Sequence, residues 1–272
     1  MTDLSERASF NLSIAELAFA LGVQHSGQLA LNIVQGQFAV ANDEDAERIL
    51  AASGEGLLAR DLLTVSVADD EYELAPVLTD AIEGMYEARR TLMCNRIVGG
   101  VAAHVAFHVS ERRLVRHALR DGVVHELEPL PDVASAVEAA LAFFSTGAND
   151  AKAVTPASLP RESVDEELFS GDSLSVESRL AQGQMSEETR AQLLGDLVEH
   201  AFRGSVVKVD HRPDGTSRIE HSFLLFGGSE RVWLVQAENP DAASQVSFSP
   251  RGSSELGAAF TVLLERGSAD WE

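Results

Sequence analysis

Hydrophobic spacing along the chain alternates between two periods, and the changes of period divide it into helices and strands. Ser13-Ile14-Ala15-Glu16 reads as a capping box, in which a serine hydroxyl and a glutamate carboxylate satisfy free backbone donors at a helix start. Leu12 and Leu17 are placed as a hydrophobic staple, and Gly22 marks the stop. A second helix is expected over 42–54, with Ile49 and Leu50 on its buried face. Leu57, Leu58, Leu62 and Leu63 then form a short apolar helix or turn before an extended piece at 64–67. Leu74, Val77, Leu78, Ile82 and Met85 recur at helical spacing and predict a helix over 73–92, with Pro76 in its first turn.

From residue 96 the period becomes two. Val101, Ala103, Val105, Phe107 and Val109 share one face of a strand, and Ala102, His104, Ala106 and His108 the other. Strands at 114–119 and 123–127 follow, joined by the hairpin signal Asp121-Gly122, and then an alanine-rich helix at 133–145. Residues 146–185 hold Pro156, Pro160 and the run Asp165-Glu166-Glu167 among serines and glycines, and read as a linker or mobile loop. A helix at 187–202, strands near 205–211, 218–226, 230–237 and 245–249, and a helix at 252–265 complete the chain. The expected domains are therefore 1–145, the 146–185 connection, and 186–272 packed with the first as one body.

Sliding the chain against itself at an offset of 119 aligns Phe107 with Phe226 and Ser110-Glu111-Arg112 with Ser229-Glu230-Arg231. In the same register Ala118 meets Ala237, Pro131 meets Pro250, Ser135 meets Ser254, and Ala139-Ala140 meets Ala258-Ala259. Leu74 and Leu78 also match Leu193 and Leu197 in phase. The fold expected is α+β, a pseudo-twofold duplicated unit with a central antiparallel sheet flanked by helical bundles.

Charge narrows the partners. Acidic residues number 43 against 21 basic, a formal net charge of −22 that opposes nucleic acid and anionic membrane. Cys94 is the sole cysteine, which fits a reducing, cytoplasmic setting. Asp3, Glu6 and Arg7, followed by an apolar run broken by Glu16, suit neither a signal peptide nor a membrane-inserted segment.

The catalytic inventory is empty. His104 and His108, four apart on a strand, would lie roughly 13 Å from each other, too far to share a metal ion. His117, His125, His200, His211 and His221 show no recurring spacing with acids or cysteine. No nucleophile elbow surrounds a serine, and Gly99-Gly100 and Gly227-Gly228 lack the lysine of a phosphate loop. Catalytic, cofactor-binding and metal residues are accordingly expected to be none, and partner-binding residues are not assigned. The segment 11–72 looks like a winged helix, but Asp43, Glu44, Asp45, Glu47 and Glu55 oppose entry into a DNA groove.

The order of parts carries one resemblance. Gly56-Leu57-Leu58 leads to a three-stranded meander and an alanine-rich helix. A Pro- and acid-rich stretch follows, then a helix ending in Val198-Glu199-His200-Ala201-Phe202-Arg203-Gly204, a second meander and a last amphipathic helix. This resembles the EspG family of chaperones in type VII (ESX) secretion. The resemblance implies a cytosolic, non-enzymatic chaperone that binds a helical secretion substrate. A possible homodimer, a winged-helix regulator or adaptor, and an enzyme of unrecognised class stand as alternatives.

Overall fold

The computed structural model describes residues 9–66, 71–144, 154–164, 166–169, 173–227, 231–237 and 245–265. The chain divides into two compact units, residues 1–91 with 105–132 and residues 92–104 with 133–272.

The first unit begins with strand β1 (Phe10–Ser13) and helices α1 (Ile14–Gln24), α2 (Gly27–Gln37) and α3 (Asp43–Leu58). A separate hairpin of β2 (Leu63–Ser66) and β3 (Glu71–Leu74) and helix α4 (Pro76–Tyr86) come next. The capping box is in place: the Glu16 N–H donates to Ser13 Oγ at 3.2 Å, and the Ser13 N–H to Glu16 Oε2 at 2.8 Å. Leu12 and Leu17 are both buried. Two glycines read as stops instead lie inside helices. A β-carbon on Gly22 would sit 2.9 Å from Ala30 Cβ of α2, and one on Gly54 2.8 Å from the Phe19 ring of α1. Each marks a close helix–helix approach, which spacing alone does not separate from a cap. Helix α2 was not anticipated: it fully buries only Ala30 and Val34, and Leu29, Leu31 and Ile33 are partly buried around them.

The helix expected over 73–92 is corrected. Leu74 pairs with Leu63 in the β2–β3 ladder, α4 stops at Tyr86, and β4 (Arg90–Val98) follows. Leu74 merely shares the helical phase of Leu78. Strand β4 opens with Arg90, Thr91 and Leu92 buried in succession, so the apolar/polar alternation of a half-solvated strand is missing at its start.

Strands β5 (Val101–Val109), β6 (Leu114–Arg120) and β7 (Val124–Leu130) lie where the period-two pattern puts them. Asp121 and Gly122 both have positive φ, 53° and 72°, as a tight hairpin with matched twist requires. The second unit continues with α5 (Val133–Phe143), β8 (Ala157–Pro160), α6 (Ser173–Leu180), α7 (Glu187–Val198) and β9 (Phe202–His211). It ends with β10 (Ser217–Gly227), β11 (Val232–Ala237), β12 (Gln245–Arg251) and α8 (Ser253–Glu265). The fold is α+β, with a large antiparallel sheet of strand order β1-β7-β6-β5-β4-β9-β10-β11-β12-β8.

The linker expected at 146–185 is also corrected for its described residues. Ala157 and Leu159 of β8 pair with Phe248 and Val246 of β12. Together with Leu168, Val176 and Leu180 they are buried in a core that holds Phe226, Trp233 and Phe248. A serine-rich stretch with a proline suits a short edge strand, and its few apolar residues all reach the interior. Residue 165 of the acidic run lies outside the described residues, as do 145–153.

The element order over 104–144 recurs over 223–263, as β5-β6-β7-α5 and β10-β11-β12-α8. The gapless register of 119 does not. Arg113, the residue before β6, grips α4 through Asp80 (3.0 Å), Glu83 (2.5 Å) and Glu87 (3.4 Å). Arg231, the residue before β11, grips α7 through Gln192 (2.7 Å) and Asp196 (3.1 Å). The Arg89 N–H donates to the Val109 carbonyl at 2.9 Å, and the Ala201 N–H to the Gly227 carbonyl at 2.7 Å. The residues in these similar contacts are 118 apart from β5 onward and 112 apart before it. A one-residue slip exchanges the faces of a strand. Val115, in the core with Leu78 and Ile82 of α4, therefore matches Trp233, in the core with Leu193 and Leu197 of α7. Arg112, which the letters align with Arg231, is exposed, and Ser229 and Glu230 lie outside the described residues. Leu74 sits in a strand and Leu193 in a helix, so that match in phase is not structural.

Candidate partner-binding surface

Within the second unit, the side chains of three strands form a polar row on one face of the sheet. His104 of β5 meets Asn95 of β4, Nδ1 to Oδ1 at 2.6 Å, and the Asn95 amide donates from Nδ2 to Ser205 Oγ of β9 at 3.1 Å. Leu224 of β10 is the register partner of Ser205 and extends the row. Met93 and Leu224 remain 44% and 41% exposed. Ile97, Leu224 and Phe169 border a depression of about 240 Å³ around Ser205. Apolar side chains around a few satisfied polar groups make a surface suited to contact rather than to chemistry.

On the opposite side of β9 and β10 a larger groove of about 750 Å³ opens against α8. Phe223 and Leu234 supply its sheet wall and Ala258, Ala259 and Val262 its helical wall.

His104 and His108 each take a β4 neighbour, Asn95 and Thr91 respectively, rather than a common ion. Among the described residues, no group of three or more His, Cys, Asp or Glu could hold a metal. Cys94 is fully buried, and burial pushes its thiol pKa well above the usual range, which disfavours the nucleophilic thiolate. Arg90 is buried and Arg113 is held by three acids, so neither contributes to a basic face. Three helices followed by a two-stranded hairpin give the winged-helix order at 14–74, but the first turn of α3 carries Asp43, Glu44 and Asp45.

Sequence reading missed a stack of histidines. His108, His117 and His125, on β5, β6 and β7, have ring centroids 5.7 and 5.1 Å apart, and His117 Nε2 meets His125 Nδ1 at 2.8 Å. Only the strand register could have revealed it, since the three positions share no simple spacing. Burial, with His125 adding repulsion, lowers the His117 pKa from 6.5 to about 4, and burial lowers that of His125 as well. The folded state thus favours the neutral rings. Their contribution to stability is complete above the ordinary value of 6.5 and is lost as the pH falls toward 4. Thermal melts across that window should show a falling midpoint, and His117→Gln should flatten the slope. An equal slope in the variant would show that the stack does not set the acid response.

A family model described as "Uncharacterised protein YfjC" matches residues 9–247. The chain belongs to the YfjC family. No curated protein matches its sequence. Among solved structures, this YfjC-family chain is similar to the Mycobacterium tuberculosis type VII secretion system chaperone EspG5, solved in complex with a PE25–PPE41 dimer. The TM-score is 0.61 at 13% identity, and the likeness covers 96% of this chain and 98% of that one. The YfjC-family chain thus has an EspG-like fold. No helix among the described residues is long and apolar enough to cross a membrane.

Proposed function

We propose that this YfjC-family protein is a non-catalytic, chaperone-like protein of the cytoplasm that binds a helical partner and keeps it soluble, with its two strand-and-helix runs descended from one unit. The observation that carries this reading is the EspG-like fold, matched from end to end with a chaperone solved together with its protein partners. The exposed Met93 and Leu224, set beside the Asn95–Ser205 row, support the Asn95 face as the contact surface. Apolar side chains held on a rigid sheet lose little entropy on binding.

Co-purification from the native host, followed by mass spectrometry and reconstitution, tests the reading. A stoichiometric protein partner is expected, and Leu224→Glu should weaken the reconstituted complex by about tenfold or more, because a carboxylate would be buried without a partner. Recovery of no stable partner, or a complex indifferent to both Met93→Glu and Leu224→Glu, would overturn it.

The winged-helix order of α1–α3 and β2–β3 favours a regulator or adaptor as a second reading. The acidic first turn of α3 sets that reading lower, and specific retardation of genomic DNA fragments at low salt would raise it.

A further inference from the structure

We infer that the groove between α8 and strands β9–β11 is a second docking site, distinct from the Asn95 face, and that it receives an acidic amphipathic helix of a partner protein. Its interior is apolar. Phe223, Leu234 and Leu263 are buried at its base, Ala258 and Ala259 allow close approach, and Val262 stands 42% exposed along the helical wall.

The rim reverses the charge balance of the chain. Acidic residues outnumber basic ones by 43 to 21 overall, whereas here Lys208, Arg212 and Arg218 face only Asp210 and Glu220. Both acids are already engaged. Asp210 lies 3.4 Å from Lys208, with both side chains largely buried, and Glu220 lies 3.4 Å from Arg218. Arg212 has no carboxylate within ion-pair distance among the described residues; Asp214, in the exposed turn outside the groove lining, acts on it from farther away. The charge left over is therefore positive, on a molecule that is otherwise acidic. Acidic residues on an incoming segment would find here a complementary rim, which selects orientation and partner more than it adds affinity.

The strand order specifies the backbone of the occupant. β9, β10 and β11 each have a strand neighbour on both sides, so none offers a free ladder of N–H and C=O groups. An extended segment laid in the groove would bury backbone groups with nothing to pair them. A helix satisfies its own and presents only side chains. An apolar stripe against Phe223 and Val262, flanked by Asp or Glu toward Arg212 and Arg218, is the chemistry that fits.

The test uses the full chain and two labelled helical peptides of about 18 residues, five turns. Both carry leucine along one face, and the remaining positions are glutamate in one and lysine in the other. Fluorescence anisotropy at about 50 mM and about 300 mM salt reads binding and its screening. The glutamate peptide should bind despite the acidic net charge, more weakly at high salt. Arg212→Glu/Arg218→Glu should weaken it by about tenfold or more while leaving the lysine peptide unchanged or tighter. Both arginines are exposed, so the fold should persist, and Val262→Asp provides an independent loss through the apolar wall. The proposal is overturned if the glutamate peptide does not bind, or if the double variant leaves its affinity unchanged. It is equally overturned if a single-stranded oligonucleotide occupies the groove in its place, or if Val262→Asp instead dissociates a dimer seen by sedimentation.

Discussion

Asp196→Ala is expected to destabilise the protein by about 3–5 kcal/mol, read as a lower denaturant midpoint at unchanged m. Asp196 lies within α7, 7% exposed, and its Oδ2 accepts from Trp233 Nε1 at 2.8 Å and lies 3.1 Å from Arg231 Nε. Gln192, one helical turn earlier, takes Arg231 Nη1 at 2.7 Å. Removing the carboxylate strands a guanidinium and an indole N–H in the interior, and that uncompensated burial is the main source of the loss. Asp196→Asn keeps an acceptor for Trp233 but not the ion pair, so it should fall between. Adding Arg231→Met to Asp196→Ala removes the orphaned charge and should recover part of the stability. A loss below about 1 kcal/mol for Asp196→Ala would mean that the arginine reaches solvent and the clamp holds little.

Gly204→Val carries the second large effect, a loss of about 3 kcal/mol. A β-carbon at Gly204 would lie 2.4 Å from the Asn95 carbonyl oxygen and 2.8 Å from Phe144 Cε1. The first of these is backbone within a strand and cannot swing aside, so β4 and β9 would have to part where Asn95 meets Ser205. Gly195→Ala is the matched control. It lies in α7 with no neighbour within 4 Å of its missing β-carbon, and should stabilise by about 0.4–1 kcal/mol. Chemical denaturation of both variants decides the matter, and a neutral Gly204→Val would show that the sheet tolerates a side chain there.

Local chemistry made much of this fold legible. The capping box at Ser13, the Asp121-Gly122 turn and the alternation over Val101–Val109 each satisfy a backbone requirement within a few residues, and each is found where it was expected. Elements whose logic is non-local were missed. β4 begins with three buried residues in a row, Arg90, Thr91 and Leu92, and so reads as a helix continuation. β8 reads as linker because its pairing partner, β12, is some ninety positions away. The proposed duplication shows the same limit. Shared letters suggested a register of 119, whereas the arginine clamps and the Arg89–Val109 and Ala201–Gly227 backbone bonds follow 118. Identity counts cannot sense which side of a strand a residue occupies. The candidate surface was illegible for a related reason. Asn95, His104 and Ser205 are unremarkable letters until three strands bring them together.

The outermost strands of the large sheet are each four residues long. β1 passes directly into α1, and β8 terminates at Pro160, which has no N–H to offer. Such blunt borders give a neighbouring molecule little template to extend, which protects a β-rich protein from growing into fibres.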